Sequence, residues 1–198
     1  MVLVLFNSCV DLRDSDFHPD KEDSRLPRYT EKGYDVAGAL IDGDAWRVER
    51  HPFTEIMLFD ISKVDTVVFE MYGKMIDGNG KDDYVSIYIY QTNIEMSTYS
   101  DLKQLECNEI ILDGVKNYAE IKYFPIREER FTYKSGTGKL NFKSIRDIKN
   151  VTYRDPQNRF HSHPVHFSGI FELSFENQAG NLVEITKGRF DFKVDLKE

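Results

Sequence analysis

Apolar positions recur at every second residue over most of the chain. From residue 34 onward, short alternating runs are broken by Gly and by Asn or Asp pairs, and no long stripe of helical period intervenes. A period of two marks strands with one buried face. Residues 36–41 and 46–50 flank Asp42-Gly43, a pair suited to the positive φ angles of a tight turn, so a first hairpin is expected there. Residues 53–59 and 65–72 follow as strands, the second with Val67, Phe69 and Met71 on one face. Residues 84–90 alternate strictly, Val85, Ile87 and Ile89 against Tyr84, Ser86, Tyr88 and Tyr90, and the aliphatic side is the core side. Residues 97–107 carry the one weak helical signal, Leu102 and Leu105 spaced three apart behind Ser100-Asp101, which suits a short capped helix. Further strands are expected at 118–124, 129–134, 139–142 and 151–154. The two at 129–134 and 139–142 are read as a hairpin joined through Ser135-Gly-Thr-Gly138.

The C-terminal pair is the clearest local signal. Phe167, Gly169, Phe171, Leu173 and Phe175 share one parity, residues 177–181 turn, and Val183 and Ile185 resume on odd positions. Phe190, Phe192 and Val194 then fall on even positions. One extra residue must enter the strand, so a β-bulge is expected at or beside Gly188. About ten strands predict an all-β fold. The expected architecture is a two-sheet antiparallel β-sandwich, with a closed or partly open β-barrel as the alternative.

The 198 residues suit one core, and the net charge of −8 argues against nucleic acid as a partner. Residues 2–6 are all apolar and lead through Asn7 and Ser8 to Cys9, after which the chain turns acidic. This order reads residues 1–8 as the remnant of a lipoprotein signal peptide, with Phe6 where Leu is usual, and Cys9 as the lipidated residue. The alternative is a short apolar first strand. Residues 9–27, rich in Asp with Pro19 and Pro27, read as an acidic flexible tether, and residues 28–198 as a single β domain. Once Cys9 is acylated, Cys107 has no partner and no disulfide is expected. The partner implied is a membrane, reached through the lipid anchor.

Two segments resemble a family of Bacteroidetes lipoproteins of unknown activity: Gly38-Ala-Leu-Ile-Asp-Gly-Asp-Ala-Trp46, and Phe167-Ser-Gly-Ile-Phe-Glu-Leu-Ser-Phe-Glu-Asn with Val183-Glu-Ile-Thr-Lys-Gly-Arg-Phe-Asp-Phe-Lys-Val194. The resemblance covers about a fifth of the chain. It implies a lipid-anchored, extracytoplasmic β domain and no activity that transfers residue by residue; the acidic residues close behind Cys9 resemble the signal that takes such lipoproteins to the outer leaflet of the outer membrane.

Chemical motifs are sparse. There is no Gly-x-Ser-x-Gly, His-Glu-x-x-His or Cys-x-x-Cys, and no cofactor is implied. Gly136-Thr-Gly-Lys139 lacks the first Gly of a phosphate loop and has Leu140 where Ser or Thr would hold magnesium. Asp77, Asn79, Lys81, Asp82 and Asp83 read as a turn rather than a Ca²⁺ loop. His161, His163 and His166 form the only cluster of metal-ligand type. Pro164 makes that stretch look like a loop that could draw His166 towards the other two, with weak, adventitious metal affinity expected. The tyrosine face of Tyr84, Tyr88 and Tyr90 is the candidate ligand surface, suited to a glycan or a protein partner unless a second layer covers it. The expectation is a non-enzymatic binding or structural module of the cell envelope. The alternatives are a barrel that carries a small apolar ligand and a hydrolase with scattered residues.

Overall fold

Val36–Ile41 (β1) and Asp44–Val48 (β2) form the expected hairpin, because Asp42 (φ 51°) and Gly43 (φ 89°) supply the two left-handed residues that its turn requires. The computed structural model describes residues 17–48, 66–76, 83–92, 99–124, 131–148, 153–154, 161–176 and 180–197. After the hairpin come Thr66–Ile76 (β3), Tyr84–Thr92 (β4), Tyr99–Lys103 (α1), Glu109–Asp113 (β5) and Tyr118–Phe124 (β6). Phe131–Asp147 (β7), Tyr153–Arg154 (β8), His161–Glu176 (β9) and Leu182–Lys197 (β10) complete the described elements. The expected strand at 53–59 and the turn at 77–80 lie outside the described residues.

The strand order β7-β6-β4-β3-β2-β1-β10-β9 returns on itself, because β9 also pairs with β7, and every pairing is antiparallel. Eight strands therefore close into a barrel, the alternative that the sequence admitted, in place of a two-sheet sandwich. Alternation tells which side chains face inward; it carries no information on whether distant strands meet. The seam is made by the length of β7: its first residues pair with β6, and residues 137–141 pair with β5 on that edge while 137–147 pair with β9 on the other. β8 adds to the start of β9.

The hairpin expected at 129–142 is absent, because β7 is one continuous strand. Ser135 (φ 54°) takes an extra residue into the ladder with β6. Gly136 and Gly138 make room instead of reversing the chain. A Cβ on Gly136 would meet the Phe175 ring at 2.3 Å, and one on Gly138 would meet the Glu172 carbonyl oxygen at 2.1 Å. The expected bulge is present in β10, where Ile185 pairs with Leu173 and Gly188 with Phe171, so three residues advance against two. Lys187 (φ 52°) takes the left-handed position, and Gly188 is needed because the Phe171 ring packs against its Cα.

Inward residues fill the barrel. Phe69, Phe142, Phe167, Phe171, Phe190 and Phe192 are buried and meet in tilted, edge-on and stacked pairs, such as the tilted Phe69–Phe142 at 5.1 Å between centroids. Trp46 is fully buried and donates Nε1–H to the Val85 carbonyl at 3.1 Å. The helix α1, in which Ser100 and Asp101 lie inside rather than ahead of the first turn, buries Leu102 against the core. Lys103 Nζ reaches the Ile145 carbonyl at 2.7 Å, and Glu106 accepts the Ile145 N–H at 2.8 Å, which fastens this crossover to β7.

The described part of the expected tether is not free chain. Residues 17–35 lie as a strap on the outer wall of β9, β10, β1 and β2. Leu26 is fully buried, and Pro27 packs where a side chain on Gly38 would be. Asp20 pairs with Arg189 at 2.8 Å, and the Arg47 guanidinium lies over the Phe17 ring at 4.5 Å. The buried carboxylate of Asp191 accepts the Thr30 hydroxyl and the N–H groups of Lys32 (3.0 Å), Gly33 (2.8 Å) and Tyr34 (3.4 Å). Charged residues sparse in apolar company read locally as solvated. Here the carboxylates of Asp20 on the strap and Asp191 on β10 tie together chain segments that are 169 and 158 residues apart. Residues 1–16, with Cys9, lie outside the described residues.

Candidate functional site

The strap occupies the wall over β9, β10, β1 and β2. The opposite wall is formed by β3, β4 and β6, whose residues of core parity, Val67, Phe69, Met71, Ile87, Ile89, Ala119 and Ile121, point inward. The alternate positions therefore stand outside. Strand register sets them in cross-strand rows: Lys74–Tyr84–Phe124, Tyr72–Ser86–Lys122, Glu70–Tyr88–Glu120 and Val68–Tyr90–Tyr118. The three tyrosines expected from the sequence, Tyr84, Tyr88 and Tyr90, thus join Tyr72, Tyr118 and Phe124 in one surface. Each is half-buried by its neighbours.

Tyr72 stacks on Tyr84 with ring planes 2° apart and centroids at 5.3 Å, and Tyr90 stacks on Tyr118 at 4.5 Å. Tyr88 lies 6.3 Å from Tyr90, and the Lys122 ammonium sits over its ring at 3.9 Å. Lys122 also approaches Glu120 at 3.8 Å, and the Tyr90 hydroxyl donates to Glu120 at 3.2 Å. Ser86, between Tyr84 and Tyr88, is covered completely. Burial, reinforced by the neighbouring Glu70 carboxylate, pushes the Tyr88 phenol up to about 12, and burial with the Glu120 charge pushes Tyr90 upward as well. Both hydroxyls are therefore neutral donors at physiological pH. The surface offers aromatic rings, phenolic O–H groups, two carboxylate acceptors and two ammonium groups, those of Lys74 and Lys122.

Among the described residues the interior is closely packed. The void among Phe69, Met71, Ile89, Leu140 and the aromatic side chains of β9 and β10 holds about 10 Å³ of space open to a water centre, enough for about one water. Val85, Ile87 and Ile89 belong to the packed core, so a carrier of an apolar ligand finds no chamber among the described residues.

The histidines are placed differently from expectation. β9 runs unbroken through Pro164 from His161 to Glu176, so the loop that would gather His161, His163 and His166 is not formed. The side chains of His161 and His163 lie outside the described residues. His166 Nε2 is buried under the strap, 2.6 Å from where a Cβ on Gly33 would stand, and has no hydrogen-bond partner among the described residues. Burial, then the charges of Lys193 and Arg146, lower its pKa below 6.5, against the opposing pull of Asp191 and Asp35. The folded state thus holds the neutral ring, and the unfolded state takes up a proton first as the pH falls. Stability attributable to His166 is complete above pH 6.5 and is lost below it. Urea midpoints measured from pH 7.5 to 5.5 should fall in the wild type, and His166→Gln should flatten that slope; an unchanged slope would contradict this placement.

Sequence reasoning missed Tyr72, Tyr118, Glu70, Glu120 and Lys122. The signal was present in part: each occupies the non-core parity of its own strand. Only the register joins them to β4. No protein-family model, curated protein or solved structure matches the chain, so the wall's meaning rests on its own chemistry.

Proposed function

We propose that this chain is a non-enzymatic binding module of the bacterial cell envelope, an outer-membrane lipoprotein of the Bacteroidetes type anchored through Cys9, which works through the outer wall of β3, β4 and β6. The observation that carries the reading is a filled barrel with a preorganised aromatic and polar wall on its strap-free side. Rings already stacked and hydroxyls already oriented lose little freedom when a ligand arrives. The carboxylates of Glu70 and Glu120 flank Tyr88 on the outer face of a sheet rather than in a cleft, an arrangement that favours binding over acid–base chemistry, which needs a site that excludes water. The strap also shortens the leash. From Cys9 to Phe17 the chain spans at most about 29 Å at full extension, so the anchored barrel stays close to the lipid surface.

Two measurements test this. Expressed behind a complete lipoprotein signal, the wild type should fractionate with membranes and Cys9→Ala should not; continued membrane association of the variant would sink the anchor. For the surface, a soluble Cys9→Ser chain is labelled at Cys107, the exposed free thiol, and incubated with outer-membrane fragments of the producing bacterium. Binding should saturate and weaken by about tenfold or more, roughly 1.4 kcal/mol, in Tyr90→Ser/Tyr118→Ser. Equal binding by a variant that retains native Trp46 fluorescence would overturn the reading.

A further inference from the structure

Building on the reading that the β3–β4–β6 wall is the binding surface, we propose that its ligand is a neutral saccharide of the cell surface. Charge is the first ground. The chain carries −8, yet on this wall Glu70 and Glu120 are balanced by Lys74 and Lys122. Lys122 is spent on Glu120 and the Tyr88 ring, at 3.8 and 3.9 Å. Such a face has no net field to draw a polycation or a polyanion.

The placement of the polar groups is the second. Glu70 and Glu120 occupy the same row as Tyr88, inside the wall rather than at its rim. A protein docked flat over them would strip the remaining water from two carboxylates, of which Glu120, 14% exposed, keeps among the described residues only the Tyr90 hydroxyl and Lys122 as partners, and that loss is costly. Among the described residues the exposed large aliphatic side chains, Ile111, Val115, Ile170 and Leu182, lie elsewhere, and Val68 is the lone aliphatic member of the four rows. The fully apolar centre of a protein-docking patch is therefore missing. A saccharide matches what is present: its hydroxyls donate to the carboxylates and to the Tyr90 oxygen, whose own proton is held by Glu120, and accept from the remaining tyrosine O–H groups, while its C–H faces rest on the rings.

Dimensions agree. Tyr84 to Tyr90 runs about 20 Å along β4 at the usual rise per residue, and the rows extend one strand to each side. The wall is long enough for a short oligosaccharide, and its tyrosines fall at both ends and in the middle.

The test uses the labelled Cys9→Ser chain and the same outer-membrane fragments, treated in parallel with periodate, which cleaves sugar rings at vicinal diols, or with protease. The proposal expects binding to be abolished by periodate, kept after protease and little changed by added salt. Glu120→Gln should weaken it by about tenfold while native Trp46 fluorescence confirms the fold. Loss of binding after protease with persistence after periodate would show a protein partner and overturn the saccharide, leaving the wall reading intact. Periodate-sensitive binding that collapses with salt would show a charged glycan and overturn its neutrality. Should binding to untreated fragments be absent, or ignore Tyr90→Ser/Tyr118→Ser, the wall reading itself fails and the saccharide with it.

Discussion

Replacing Asp191 by alanine is expected to release the strap from the barrel. The carboxylate is buried and collects one hydroxyl and three backbone N–H groups from residues 30–34. Removing it leaves those donors to find water, which they reach only by lifting off β10. The loss should be about 3 kcal/mol, the scale for hydrogen bonds to a charged acceptor with donors left unpaired. Asp191→Asn, which keeps an acceptor and loses the charge, should fall between. Hydrogen exchange at the amides of Lys32, Gly33 and Tyr34 reads the effect directly, and trypsin should gain access at Arg28 and Lys32, both exposed side chains on the strap. Unaltered protection of these three amides in Asp191→Ala would show that the strap is held by something else.

Gly138→Ala should be the most damaging single methyl in the molecule's wall. At φ 139° the backbone is in a region that residues with a side chain rarely adopt, and the new Cβ would stand 2.1 Å from the Glu172 carbonyl oxygen. That oxygen belongs to the backbone of β9, and the β7–β9 pairing is the seam that closes the barrel. Neither partner can swing aside as a flexible side chain would. A loss of about 3–4 kcal/mol is expected in urea unfolding followed by Trp46 fluorescence. Gly43→Asn is the contrasting case: nothing lies within 4 Å of its added Cβ, and Asn tolerates the left-handed turn at φ 89°. It should cost under about 1 kcal/mol. Equal losses in the two variants would mean that backbone strain alone, and not closure of the seam, sets the price.

What could be read in advance follows from how far each interaction reaches along the chain. Period-two alternation is local, so β1, β2, β4, β10 and the part of β9 from Phe167 onward were legible, as was the phase slip beside Gly188, whereas Pro164 made the first residues of β9 look like a loop. The residue that takes the left-handed conformation was not, because Lys187 and Gly188 serve the bulge differently: one bends the backbone and the other clears the Phe171 ring. Gly136 and Gly138 looked like a turn because turns and close approaches both call for glycine. Closure of the barrel was admitted only as an alternative, since the β7–β9 register depends on residues far apart in sequence. The strap was misread for the same reason: Asp20 is a solvated acid by local composition and the partner of Arg189 by tertiary structure. Of the candidate site, Tyr84, Tyr88 and Tyr90 were visible on their own strand, while Tyr72, Tyr118 and the flanking glutamates needed the neighbours' register to be recognised as one surface.

The central claim is that this barrel binds from its outside. The measurement that tests it most directly is a side-chain NMR titration of the Cys9→Ser chain with glycan released from outer-membrane fragments. The ring signals of Tyr72, Tyr84, Tyr88, Tyr90 and Tyr118 should shift together and saturate, while the methyl signals of Ile89 and Leu140 and the ring signals of Phe167, Phe190 and Phe192 around the interior void stay in place. Shifts at the interior residues with the tyrosine signals unmoved would contradict it.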